Sequence, residues 1–211
     1  MASPLKTILI VDDDEGMRDT LTAILKREYR VMSVSSAEDG LSRLRQNRVD
    51  LMLLDVRLPG MSGLDLLKDL RRERPALPVL VLSMHPPDQF ARRAMNAGAQ
   101  GYLTKDSAPT ELVKAVGEVM AGRRYLNPAV IEELVTHHQP EHGKRPHEVL
   151  SDREYQVLRM IASGLTVSLV AARLALSVKT VSTYRARVLE KMNMKTTAEL
   201  MHYGIQHGLV D

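Results

Sequence analysis

Through the first 122 positions apolar residues come in short blocks. ILIV (8–11), LMLL (51–54) and VLVL (79–82) are continuous runs, and YRVMSV (29–34) and QGYLT (100–104) are weaker versions of the same signal. Short runs without polar alternation suit strands covered on both faces. The stretches between them carry helical spacing. Ser35-Ser36-Ala37-Glu38 reads as a capping box opening a helix that runs to Asn47. Leu64, Leu67 and Leu70 follow Ser62, Gly98 closes a stretch from Pro87 to Ala97, and Pro109 stands at the start of a stretch ending at Gly122. Strands and helices in strict alternation predict an α/β domain over residues 1–122. Its core is a doubly wound, five-stranded parallel sheet with helices on both sides.

The pattern changes after residue 122. NPAVIEELVTHH (127–138) predicts a short helix, and QPEHGKRPHE (139–148) has the prolines and polarity of a linker, so 123–147 is assigned as a connection. Residues 148–211 read as a small all-α domain. Ser151-Asp152-Arg153-Glu154 is a capping box whose helix ends at Gly164, and Thr196-Thr197-Ala198-Glu199 is another. Between them, Thr166–Leu174 is a short helix, Ala175-Leu176-Ser177 a turn, and Ser177 a cap for a helix from Val178 to Met192. On that helix Val181, Arg185, Val188 and Met192 form one stripe, which leaves Ser182, Thr183, Ala186 and Arg187 on other faces.

Composition sharpens this division. Residues 1–122 hold 17 Lys+Arg and 17 Asp+Glu, whereas 123–211 hold 12 and 9, so the net charge of +3 lies in the second part. A neutral domain followed by a basic helical one points toward nucleic acid for the latter. There is no cysteine, no signal-peptide core in MASPLKTILIVDDD and no stretch long enough to span a membrane. A cytoplasmic protein is expected.

The candidate chemistry lies at the strand ends. Asp12-Asp13-Asp14 follow ILIV, Asp55 follows LMLL, Ser83 follows VLVL and Lys105 follows YLT. In an open parallel sheet these ends share one edge, where such folds bind ligands. Singly, each has an ordinary reading: helix cap, turn former, loop hydroxyl, solvated charge. Together they make a site. Crowded carboxylates need a cation, and Mg²⁺ suits an oxygen-only set. Lys105 adds a second positive charge, Ser83 a hydroxyl for a phosphate oxygen, and Asp55 a nucleophile able to form an acyl phosphate. In the second domain, Lys179, Arg185, Arg187, Lys191 and Lys195 can meet DNA phosphates, although an ordinary bundle with a basic face fits the pattern equally well.

IVDDDEGMR, LLDVRLPGMSG, VLSMH and GYLTKD resemble the motifs of the receiver domain of two-component response regulators. LSDREYQVLRMIASGLT and VAARLALSVKTVSTYRARVLEKMNMKTTAEL resemble the LuxR-type helix-turn-helix domain, and the pairing resembles the NarL/FixJ family. The resemblance implies a flavodoxin-like receiver with Asp55 as phosphoacceptor. Mg²⁺ would be held by Asp13, Asp55 and the Arg57 backbone carbonyl, with Asp12 acting through a water. Lys105 would pair with the phosphate, and Ser83 and Tyr102 would form a switch pair, the tyrosine turning inward on phosphorylation. Arg57 and His85 would stand at positions whose residues tend to modulate phosphate lifetime in that family. Lys179, Ser182, Thr183 and Arg187 would face DNA, and the last helix would help form a DNA-bound homodimer. The partners implied are a sensor histidine kinase and promoter DNA, and the receiver is no enzyme beyond its own phosphorylation and dephosphorylation. Two positions depart from the family: Val167-Ser168-Leu169 replaces an often charged segment, and Ser182 stands where lysine is frequent. Two other readings are a phosphorylation-independent regulator and an Mg²⁺-dependent phosphohydrolase. Hydrolases of the haloacid-dehalogenase type want a second aspartate two residues after the nucleophile, where this chain has Arg57. The linker histidines His137, His138 and His142 read as solvated.

Overall fold

The computed structural model describes residues 5–84, 87–128, 130–131 and 145–210. The chain divides into two compact units, Met1–His138 and Gln139–Asp211. His85 and the linker histidines 137, 138 and 142 lie outside the described residues, as does most of the predicted helix at 127–138.

The first unit alternates strand and helix: β1 (Thr7–Val11), α1 (Glu15–Leu25), β2 (Arg30–Val34), α2 (Ala37–Gln46), β3 (Leu51–Asp55), α3 (Gly63–Glu73), β4 (Val79–Ser83), α4 (Pro87–Asn96), β5 (Gly101–Thr104) and α5 (Ala108–Met120). The sheet is parallel in the order β2-β1-β3-β4-β5-β6, and its sixth strand, β6 (Tyr125–Leu126), corrects the five-stranded expectation. Two residues are too few to carry a period, so RRYLNP reads as connection in sequence. Gly122, at φ +80, ends α5 and turns the chain back to place Tyr125 beside Gly101.

The continuous apolar runs divide between the two faces by strand alternation. Ile8, Ile10, Leu51, Leu53, Leu80, Leu82 and Leu103 join Leu21 and Leu25 of α1 and Leu112, Val116 and Val119 of α5 in one cluster. Leu9, Val11, Met52, Leu54, Val81 and Tyr102 point the other way and are also buried. The α2 cap is shifted by one residue from expectation: Asp39 N–H donates to Ser36 Oγ, whose hydroxyl returns a bond to Asp39 Oδ2. Tandem serines satisfy the motif twice, and the residue three beyond Ser36 is an acid too.

The second unit opens with a 3₁₀ turn at Pro146–Val149 and continues as α6 (Asp152–Ala162), α7 (Val167–Leu174), α8 (Val178–Lys191) and α9 (Thr197–Gln206). The Ser151/Glu154 capping box forms as read. Ala175 takes a left-handed conformation at φ 52, and Ser177 then accepts from Thr180 N–H to start α8. Val157, Leu158, Ile161, Val170, Leu174, Val181, Val188 and Leu200 build the core. His147 is buried beneath α9 with Nδ1 2.6 Å from Tyr203 Oη.

Candidate functional site

Strand register explains why residues far apart in sequence meet. Val11 pairs with Leu54, which sets Asp12 beside Asp55. Asp55 pairs with Leu82, so Ser83 is the next residue along the neighbouring strand. Ser83 pairs with Thr104, and Lys105 follows, its N–H donated to the Ser83 carbonyl at 2.7 Å. The long lysine then reaches back over β4: its Nζ lies 2.7 Å from Asp55 Oδ2 and 2.7 Å from Asp12 Oδ2. Asp12, Asp55, Ser83 and Lys105 are all buried, and Asp13 is exposed at the rim. Asp14 caps α1, accepting from Met17 N–H.

The remaining carboxylate oxygens are occupied by backbone. Asp14 N–H donates to Asp12 Oδ1 and Arg57 N–H to Asp55 Oδ1, each at 3.0 Å. Arg18, which sequence reading passed over, ties the loop by donating Nη1–H to the Asp12 carbonyl at 2.8 Å. Gly63 is a second such residue. A Cβ there would lie 1.9 Å from the Asp55 carbonyl oxygen and 3.1 Å from Val56 Cα, so α3 starts flush against the strand end only because residue 63 has no side chain. Gly63→Ala is expected to cost about 3 kcal/mol, because the obstacle is backbone that cannot move aside. Urea unfolding with an unchanged m-value checks it.

Two acids and one base in a closed space leave an imbalance. Burial pushes the Asp55 carboxyl up to about 6, and the Asp12 charge adds to this against the pull of Lys105. Burial also raises Asp12. Burial acts to lower Lys105, but the Asp55 and Asp12 carboxylates outweigh it and hold the ammonium above its ordinary value. Oxygens of Asp12, Asp13 and Asp55 lie within 4.8 Å of one another. A pocket with surplus negative charge and oxygen donors only fits a small hard cation such as Mg²⁺.

Tyr102, paired with Val81 across β4 and β5, is fully buried.

In the second unit Lys179, Ser182, Thr183 and Arg187 are exposed together on α8, opposite the buried Val181, Val188 and Met192. Lys179, Thr180, Thr183, Tyr184 and Arg187 line a shallow concavity. Two predicted cations are engaged elsewhere. Lys191 Nζ donates to the buried Glu154 carboxylate at 2.7 Å, and the half-buried Arg185 reaches Thr197 Oγ1 at 3.4 Å. Leu169, in the segment that departs from the family pattern, is 55% exposed.

A parallel sheet presenting a buried Asp–Lys–Asp cluster and an exposed acid, joined to a helix-turn-helix unit, defines a receiver coupled to a regulatory domain. Residues 8–117 match the response regulator receiver domain, and residues 148–204 match the luxR family of bacterial regulatory proteins. The chain is 37% identical over 208 residues to the response regulator GacA of Pseudomonas aeruginosa, covering 97% of each. It is 35% identical over 206 residues to the response regulator UvrY of Escherichia coli, covering 96% of this chain and 94% of that one. RcsB from Salmonella enterica serovar Typhimurium, solved bound to promoter rprA with phosphomimetic BeF₃⁻, shares the fold: TM-score 0.62, 24% identity, 94% of this chain and 98% of that one. The protein belongs to the NarL/FixJ-type two-component response regulators, a receiver followed by a LuxR-type helix-turn-helix domain.

Proposed function

We propose that Asp55 accepts a phosphoryl group from a sensor histidine kinase and that this modification controls the binding of α8, within a homodimer, to promoter DNA. The observation that carries the reading is the Lys105 ammonium, 4% exposed and bonded to both Asp12 and Asp55. A buried cation clamped on a nucleophilic carboxylate stands ready to pair with incoming phosphoryl oxygens. In the transfer, an Asp55 carboxylate oxygen bonds to phosphorus as the bond to the donor breaks. Lys105 then pairs with a phosphoryl oxygen, and the Ser83 hydroxyl donates to another. Asp13, Asp55 and the Arg57 carbonyl would hold Mg²⁺ directly, and Asp12 would act through a water. When bound, the metal supplies neutralising charge to the phosphoryl oxygens. The same chemistry run with water removes the group, which is all the catalysis the receiver performs.

The exposed Lys179 and Arg187 beside small side chains suit the major groove, and a promoter ligand places the protein in the cytoplasm. Among the described residues no helix is long and apolar enough to cross a membrane. The α9 surface, with Ile205 65% exposed, is the candidate contact between copies. An intact acidic pocket argues against a phosphorylation-independent regulator, and Arg57 against the phosphohydrolase.

Phosphorylation is expected to tighten DNA binding of the full-length protein at least about fivefold, the lower end of ordinary allosteric coupling. Ser83→Ala should accept the phosphate with little change in affinity. The measurement is titration of a duplex selected by the protein itself from a random pool, with phosphate occupancy set by acetyl phosphate and read by intact mass. Equal affinities for the two wild-type forms would refute the coupling.

A further inference from the structure

The exposed face of α8 has a chemistry more specific than positive charge. At about 100° per residue, Val178, Ser182, Ala186, Lys179, Thr183 and Arg187 succeed one another around half the helix. All six are exposed, and Val178 keeps 51% of its surface in solvent. Between the two margins the charged residues are Lys179 in the first turn and Glu190 in the last, and Ser182, Ala186 and Thr183 are small enough for the first half of the helix to approach a groove floor closely.

Thr183 is the informative position. Its hydroxyl hydrogen is donated to the Lys179 carbonyl at 3.0 Å, within the helix. What Thr183 offers a ligand is therefore a methyl group and an oxygen that accepts but does not donate. In the major groove that combination discriminates. Guanine presents only acceptors, which this oxygen cannot satisfy. Cytosine presents an N4 amino donor but no methyl. An A·T pair presents both an adenine N6 amino donor and a thymine C5 methyl. Resting on the DNA-binding reading of α8, we infer that Thr183 reads an A·T pair, its oxygen accepting from adenine N6 and its methyl meeting the thymine methyl. Arg187 lies one turn beyond it on the helix and Lys179 one turn before it, both exposed to meet phosphates.

The test uses the full-length chain, phosphorylated with acetyl phosphate and Mg²⁺. Duplexes are selected from a pool with about 20 random base pairs, enough for two half-sites one helical turn apart. The selected duplex is then remade with deoxyuridine for thymidine at one position at a time, which removes only the methyl. Wild type should lose about fourfold in affinity at one thymine of each half-site, the factor expected for one buried methyl-sized group. Thr183→Ser, which keeps the hydroxyl, should bind the thymine and uracil duplexes equally at that position, and Thr183→Val, which keeps the methyl, should still distinguish them. Loss at no position, or losses that all persist in Thr183→Ser, would overturn the inference, while salt-sensitive binding to the selected duplex would leave the DNA-binding reading standing. Failure to enrich any duplex would overturn both.

Discussion

Asp55→Asn takes up no phosphoryl group from acetyl phosphate and Mg²⁺, and without divalent cations it is more stable than the wild type at pH 8. The first outcome follows because asparagine lacks the carboxylate that would attack phosphorus. The second follows from the site's electrostatics. Burial raises the Asp55 carboxyl from 3.8 to about 6 in the folded chain, so folding favours its protonated form. The folded state then binds more protons than the unfolded state between those two values, and stability falls as pH rises through that window. Below it both states are protonated and the variant gains nothing. Above it the full cost of ionisation applies, about 3 kcal/mol at about 1.4 kcal/mol per tenfold in proton affinity. Asparagine mimics the protonated acid at every pH and keeps an oxygen for the Arg57 N–H. Its advantage should thus be largest at pH 8 and fade toward pH 4, read by urea unfolding in EDTA. An advantage that does not change with pH would show that Asp55 ionises without penalty.

DNA affinity should collapse with salt, by about 10³ between 50 and 200 mM. Lys179, Arg187 and Lys195 are exposed on each chain. A homodimer then places about six cations on phosphates, and log affinity falls by about 0.9 for each contact per tenfold in salt. Arg187→Ala should make the slope shallower by nearly two in the dimer, one contact from each copy. Lys191→Ala should leave the slope unchanged, since its ammonium is committed to Glu154. That variant should instead cost a little stability, because it strips the partner from a buried carboxylate. Fluorescence anisotropy across a salt series separates these outcomes.

The contrast between Arg187 and Lys191 marks where sequence reasoning reaches and where it stops. Spacing along one helix decides which face a residue occupies, and it placed Val181 and Val188 inward and Ser182, Thr183 and Arg187 outward, as observed. It does not say that Lys191 meets Glu154, which lies 37 residues earlier, or that Arg185 turns to Thr197 on the next helix. Such pairings depend on how helices cross. The acidic site was legible because its polar residues come at or within one or two positions of the ends of apolar runs, and a parallel sheet brings such ends to one edge. Gly63 was not, since its role depends on a carbonyl eight residues upstream. Tyr102 has an aromatic ring that fits either inside or outside a sheet edge, and only packing selects the buried position.

Everything proposed for this protein begins with a single bond between phosphorus and an Asp55 oxygen. The most direct measurement is to phosphorylate the intact chain with acetyl phosphate and Mg²⁺, reduce the acyl phosphate with borohydride, and map the modified residue by peptide mass. The Asp–Lys–Asp cluster predicts homoserine at position 55 alone. Homoserine at position 12 or 13, or a phosphoryl group that resists both borohydride and hydroxylamine, would contradict it.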